Sequence, residues 1–364
     1  TQITLKGINH PLMKKFVWVS LAIGILNTVL ILSIQATTYY VDYLSGNDNN
    51  NGETPGTAWK HAPGDPNAES IPEQTVPEAG DEIIFKGGVR YRGCIEITGN
   101  GEPGNPIRFY GDRWPGLEGI PAFIDGSMPL TGWVNEGDHI YSTSIPDDLL
   151  DGRSPISFNL HEYNYSDEED RFLWVAQYPN PADPFFNSDI GSFLRVSNEN
   201  LTRTSITDTV VLSQTDPSHW ENSWVLVWIN PNLVVDREIL SFDPETYTIT
   251  FDDLGENAIY PDERDQYYCV YNSLHALDTV GEYYVNIPEN RIYLYPSDAS
   301  RIDSSVTYSK YEYGFDINGK SHILIEGFEV CKQSGEGLRD GIGIGCFSAA
   351  SVPVSGIHIR NNAI

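Results

Sequence analysis

Basic side chains are scarce in this chain. It carries 22 Lys and Arg against 51 Asp and Glu, for a formal charge of −29. Nucleic-acid binding needs clustered cations to neutralise phosphates, so that partner class is not expected. The same balance argues against an anionic membrane surface. It fits an exported protein, or one that works with cations or neutral sugars. Amphipathic helical periodicity is missing after residue 36. No Gly-rich phosphate loop, no H-E-x-x-H and no G-x-S-x-G occurs, so nucleotide chemistry, zinc proteolysis and α/β-hydrolase chemistry lack support. Cysteine is limited to Cys94, Cys269, Cys331 and Cys346, at spacings that match no zinc pattern. Two readings of them stay open: small buried thiols packing as apolar residues, or disulfides in an exported chain. Cys331 and Cys346 are the pair that neighbouring turns of chain would bring together. The 32 Gly and 23 Pro are about 15% of the chain, below the ~25–30% that marks disorder. What is present, 40% apolar and 12% aromatic residues over 364 positions, suffices for a sizeable core. The length suggests two domains, at roughly 150 residues per domain.

Residues 1–36 read as targeting sequence. Met13-Lys14-Lys15 is a basic n-region, Phe16 to Ile34 an apolar run, and Ser33-Ile34-Gln35-Ala36 offers a small residue before Thr37. Cleavage near Ala36 is expected, with an uncleaved anchor as the competing reading, because ~20 apolar residues span a bilayer. Residues 1–12 lie upstream of the expected start at Met13. Cleavage removes Lys6, Lys14 and Lys15 and no acid, which moves the charge from −29 to −32. The expected location is extracellular or periplasmic, with no membrane attachment after cleavage.

The remainder is dominated by short runs of period two, bounded by Gly, Asn, Asp and Pro, and is predicted to be all-β. Glu82–Lys86, Trp224–Ile229, Tyr247–Phe251, Glu282–Val285 and Arg291–Tyr295 are examples. Glu282–Asn286, a turn at 287–290 and Arg291–Tyr295 predict a hairpin. From Gly314 onward the runs shrink. Gly314–Ile317, His322–Ile325, Gly341–Ile344 and Gly356–Ile359 each place two apolar residues at i and i+2, hence on one side. Ile323–Val330 resembles Ile357–Ile364, thirty-four residues later. Such repetition points to a stacked solenoid. Its coils would bury Ile, Leu, Val and Phe and leave Glu326, Glu329, His358 and Arg360 outside. Residues 37–130 share this texture, in Asp81–Phe85, Gly93–Ile97, Pro106–Phe109 and Ala122–Ile124. Between them, residues 131–309 carry longer strands and Trp133, Trp174, Trp220, Trp224 and Trp228, and are predicted to form an inserted β-rich domain. Residues 310–364 return to coils. The pattern stops at Ile364 without a terminal cap, so a C-terminally truncated solenoid is expected.

Several segments resemble a known group. Tyr39 to Trp59 resembles the opening of secreted right-handed parallel β-helix proteins of the pectate-lyase-like (pectin-lyase-like) superfamily. Ala79 to Gly93 resembles their first coil. Leu274 to Asn286, followed by Arg291 to Pro296, resembles a segment of β-helix glycosidases with an inserted β domain, glycoside hydrolase family 141 being the nearest. Ser321 to Val330 resembles the return into the helix. The resemblance implies a right-handed parallel β-helix with an inserted β-rich domain, and a carbohydrate-active protein. It implies no particular chemistry, because the superfamily hosts hydrolases, lyases and non-catalytic proteins. In such families the catalytic residues project from coils beyond those present in this chain.

Glycoside hydrolysis needs two carboxyl groups about 5–5.5 Å apart for retention, or roughly 6.5–9.5 Å for inversion. Glu336 and Asp340, in the loop from Gly335 to Gly341, are the best local pair. Arg339 between them is placed to orient a hydroxyl or carboxylate, and a solvated turn is the competing reading. Glu326 and Glu329 are weaker candidates. A lyase needs a base and a group that neutralises a uronate. Lys332, Arg339, His358 and Arg360 form the basic cluster near the coils, and at −32 a polyuronate would need bridging Ca²⁺. The expected site is therefore Glu336 and Asp340 as catalytic residues, with Arg339, His358 and Arg360 binding substrate. No metal and no cofactor is expected, except calcium in the lyase reading. Asn47, Asn49, Asn51 and Gly52 imitate a calcium loop, but Ala58 stands where its bidentate Glu belongs, so an Asn-rich turn is expected. Trp59 is expected to pack over the open end of the coils. The reading is a secreted glycoside hydrolase acting on a polysaccharide or oligosaccharide. A lyase of the same fold and a non-catalytic carbohydrate-binding β-helix are the alternatives.

Overall fold

The short alternating runs form strands, and those towards both ends of the chain pair in parallel. The computed structural model describes residues 36–149, 158–183, 193–197, 199–230, 233–255, 266–335, 341–347 and 353–364. Three parallel sheets organise both ends of the chain. Sheet A stacks Thr38–Val41, Glu82–Phe85, Ile107–Tyr110, Ile323–Glu326 and His358–Arg360. Sheet B stacks Arg90–Arg92, Ala122–Asp125 and Phe328–Cys331. Sheet C stacks Ile95–Glu96, Tyr313–Asp316 and Ile342–Gly345. From Glu82 onward these strands visit A, B and C in rotation. Each circuit returns to sheet A one strand further along.

Period two decides which residues face inward. In sheet A, Tyr39, Ile83, Phe109, Ile325 and Ile359 are register partners in one row. Ile83, Phe109 and Ile325 are fully buried. Each such side chain contributes about 1.5–3 kcal/mol by leaving water. Between the sheets Phe315 packs edge-on against Phe328 at 5.0 Å, and Phe328 against Phe85 at 5.1 Å. Ile323–Glu326 and His358–Arg360, the two segments alike at thirty-four residues, are adjacent parallel strands. Trp59 closes the start of this core. It is fully buried and stacks on Tyr39 at 4.6 Å. Gly52, at φ +74°, lies under the indole, where a Cβ would sit 2.5 Å from the ring.

Mainly antiparallel sheets intervene between the sheet B strand Ala122–Asp125 and the sheet C strand Tyr313–Asp316. One of four strands orders Glu169–Phe172, Leu160–Asn164, Val306–Ser309 and Ser127–Pro129. One of five contains the expected hairpin, Glu282–Asn286 paired with Arg291–Leu294. One of seven is built on Trp224–Asn230, Leu233–Asp243 and Gln266–Tyr271. Their apolar clusters are distinct from the coil core: Val225, Ile249 and Tyr268 centre one, Phe158, Tyr283 and Ile292 another. Among the described residues the α-helices are Ser70–Gln74 and Ile302–Ser305, and no helix is long and apolar enough to cross a membrane. Residues 1–35, with the expected targeting segment, lie outside the described residues.

All four cysteines are free. The expectation of uniform burial holds for Cys269 alone; Cys94 and Cys331 are half-buried and Cys346 is exposed. Cys331 ends a sheet B strand while Cys346 follows a sheet C strand, which is why the two do not pair. The Asn47 loop is an Asx turn, its Oδ1 accepting from the Asn49 amide at 2.9 Å.

Candidate functional site

The outer face of sheet B carries a connected network of ion pairs. Arg90-Tyr91-Arg92 turns Tyr91 inward, where it is buried, so both arginines face out. Register then builds two outward rows. Arg90, Phe123 and Glu329 form one, and Arg92, Asp125 and Cys331 the other. Neighbouring strands lie ~4.8 Å apart, so the members of a row touch. The Arg90 guanidinium sits 4.8 Å from the Phe123 ring centre.

Asp125 anchors the face. It is fully buried, although its strand position points outward. Its Oδ1 accepts from the Ser127 amide at 2.9 Å and the Ser127 hydroxyl at 2.6 Å. Its Oδ2 accepts from Arg90 Nη1 at 3.0 Å, with Arg92 Nη1 at 3.5 Å. Burial alone would raise this carboxyl, but Lys332, Ser127 and Arg92 outweigh it and hold the group below its ordinary value.

A wall rises over this face from the insertion. The strands Leu160–Asn164 and Glu169–Phe172 bring Tyr163, Tyr165, Glu168 and Asp170 against it. Asp170 joins the two parts. Arg90 Nη2 donates to its Oδ2 at 2.7 Å, and Lys332 Nζ to its Oδ1 at 2.7 Å. Lys332 follows the sheet B strand at φ +63°, a conformation that turns the chain sharply and directs the ammonium into the cleft. The cleft is open to solvent and has a volume of about 660 Å³, within the range of small-ligand pockets. Tyr163 and Tyr165 meet edge-on at 4.9 Å on its wall. Glu329 lines the cleft without an ion-pair partner among the described residues.

Two further groups limit the chemistry. His161, buried with Nε2 at 3.1 Å from Ser309 Oγ, is pushed down to about 4 by burial and then by Lys332. It is therefore neutral near pH 7. Burial, then Asp125, pushes the Cys331 thiol up to about 11, so it is no thiolate nucleophile. Among the described residues no group of three or more His, Cys, Asp or Glu is placed to hold a metal ion.

The residues expected from sequence fall elsewhere. Glu336, Arg339 and Asp340 lie outside the described residues. His358 and Arg360 stand on the outer face of sheet A, not of sheet B. His358 is exposed there. Arg360 Nη2 donates to Glu326 Oε2 at 3.0 Å, beside Arg113 Nη2 at 2.9 Å and Asn361 Nδ2 on Oε1 at 3.0 Å. Glu326 is thus a buried, saturated acceptor, whereas Glu329 opens on the cleft. Sequence reasoning missed Arg90, Arg92, Asp125 and Asp170. Alternation around Tyr91 puts the two arginines on one face, but nothing local states that Asp125 pairs alongside or that residue 170 folds over them.

No family model matches the sequence, and no curated protein matches it. Among solved structures, a glycoside hydrolase superposes with a TM-score of 0.56 at 15% identity, covering 82% of this chain and 51% of its own. The chain thus spans about half the length of that protein. A complex of XylC with xylose gives a TM-score of 0.35 at 15% identity, over 81% of this chain and 35% of that one. A GH136 lacto-N-biosidase from Eubacterium ramulus gives 0.27 at 11% identity, over 95% and 30%. The last two overlap too loosely to bear on the fold.

Proposed function

We propose that the chain belongs to an exported carbohydrate-active protein, a right-handed parallel β-helix of the pectate-lyase-like kind with an inserted β-rich domain over 131–309, and that it hydrolyses glycosidic bonds through paired carboxylates. The observation that carries this reading is the cleft between sheet B and the 160–172 strands. Sugars present hydroxyls in fixed directions and apolar C–H faces. Bonded Arg and Asp groups meet the first, and Phe123, Tyr163 and Tyr165 the second. The likeness to a glycoside hydrolase supports the fold at 15% identity, and family 141 is the proposed relative.

Of the carboxylates that line the cleft, Asp170 and Glu329 differ in surroundings. Asp170 accepts from two cations, and Glu329 from none among the described residues. We assign Glu329 as the proton-transferring acid and Asp170 as the charged partner. Glu336 and Asp340 are the competing pair, since they follow Lys332 by four and eight positions. A polysaccharide panel scored for new reducing ends tests the reading. Turnover that falls about 10²–10⁴-fold in Glu329→Gln supports the assignment. Equal loss in Glu336→Gln and Asp340→Asn, with Glu329→Gln active, transfers it to that pair. No reducing ends on any substrate overturns the hydrolase.

A lyase is the second reading, favoured by Arg90, Arg92 and Lys332 converging on one cleft. It predicts unsaturated products that absorb in the near ultraviolet and a calcium requirement. Export through cleavage near Ala36 is part of the proposal, and N-terminal sequencing of the released protein should begin at Thr37.

A further inference from the structure

The cleft does not end at Glu329. On the far side of this residue lies a second cavity, of about 340 Å³, whose walls include Asp112, Gly327, Glu329, Asn361 and Asn362. Glu329 therefore lines both spaces. Its strand position explains this. Glu329 is an outward residue of Phe328–Cys331, between the row partner Phe123 and the bridge to Ala363.

The chemistry of the second space differs from that of the first. No Lys or Arg lines it, whereas the first holds Arg90, Arg92 and Lys332. Its walls carry the carboxylates of Asp112 and Glu329 and the amides of Asn361 and Asn362, the Asn361 Nδ2 already donating to Glu326 Oε1 at 3.0 Å. Asp112 lies flat against Gly327, whose φ is +80° and where a Cβ would come within 2.2 Å of the Asp112 Cγ. The Asp112 Oδ1 is buried with no hydrogen-bond partner. Asn362 is fixed by the Phe328 amide at 2.9 Å and the Ile325 carbonyl at 3.0 Å. Acceptor-rich walls without a cation suit a neutral donor, such as the hydroxyls of an uncharged sugar ring. An anionic sugar would meet only like charge and amides.

We propose that this cavity is a second saccharide subsite, that it takes an uncharged sugar unit, and that Glu329 stands between the two subsites, beside the bond that joins their occupants. This rests on the carbohydrate reading of the cleft. It adds that the substrate is at least a disaccharide laid across sheet B.

The test is calorimetric titration of the whole chain with the β-1,4 xylose and glucose series, from monomer to tetramer. The expected result is a trimer bound at least tenfold more tightly than the monomer in one series. Asp112→Asn should cut that ratio to below three. Should this variant fail to fold, Asn361→Gly removes the amide while tolerating the native φ of +55°, and should reduce the ratio likewise. A length dependence untouched by both variants overturns the second subsite and leaves the carbohydrate reading standing. Calcium binding that Asp112→Asn abolishes makes the cavity a cation site and overturns the proposal. Absence of binding by every member of both series overturns this inference, while the polysaccharide panel decides the carbohydrate reading.

Discussion

In the coils a sheet strand is two to four residues long, and its inward side chains stack on their counterparts one circuit away. In the insertion, strands reach seven residues in Trp224–Asn230 and eleven in Leu233–Asp243, and they pair antiparallel. Both regions bury Ile and Val completely, as at Ile325 and Ile249. The difference lies in what is left outside. The coil interior is filled from within, so the outward rows of sheet B are free to carry Arg90, Asp125, Arg92 and Glu329 in register. The inserted sheets spend their faces on cores of their own and contribute to the cleft mainly by an edge, at residues 160–172. A site made at this junction takes its precision from the coils and its enclosure from the insertion.

The strongest way to break that comparison is to remove the carboxylate that anchors the sheet B face. Asp125→Ala takes a shared buried acceptor from Arg90 and Arg92, which keep Asp170 and Ser127 as partners, and should cost about 3 kcal/mol in urea unfolding. The sign with pH follows from its depressed value. The contribution of Asp125 is present above the ordinary carboxylate range and is lost as pH falls through the folded-state value. A loss below about 1 kcal/mol would show that the sheet B face stands without this bond.

Two buried groups sharpen the comparison by titrating in opposite directions. His161 folds neutral, so stability should fall by roughly 3 kcal/mol as pH drops from its ordinary 6.5 towards 4. Burial pushes Glu282 up to about 7, so its contribution is present below its ordinary 4.5 and lost as pH rises through 7. Melting curves of His161→Gln and Glu282→Gln should flatten slopes of opposite sign. Slopes of one sign would contradict the burial assigned to one of them.

Smaller effects separate the cores. Ile325→Val in the coils and Ile249→Val in the insertion should each cost about 0.5–1.5 kcal/mol. Hydrogen exchange should report each loss within its own cluster. Spread of either loss to both clusters would make the molecule one cooperative unit. The smallest effect is expected at the exposed pair of Arg203 with Asp253, where Arg203→Ala should cost no more than about 1 kcal/mol.

The strands were legible because period two is local. Glu82–Phe85, Ile107–Tyr110, Ile323–Glu326 and the hairpin at 282–294 are all visible as alternation. The Ile323 and Ile357 segments even showed, by likeness, that they would be neighbours. The site was not legible, because register is not local. Nothing near Arg90 announces Phe123 and Glu329 as its row partners, and nothing near Asp170 announces Lys332, 162 residues away. The expected binding residues His358 and Arg360 do alternate outward, but on sheet A. One-dimensional spacing gives the side of a strand and leaves open which of three faces that side belongs to.

The most direct test is a crystal structure with an oligosaccharide that the panel selects. The account predicts a sugar ring between Phe123 and Tyr163, with the Glu329 carboxyl about 2.6–3.2 Å from the linking oxygen. Sugar bound instead on the outer face of sheet A, beside His358 and Arg360, with the sheet B cleft empty, would contradict it.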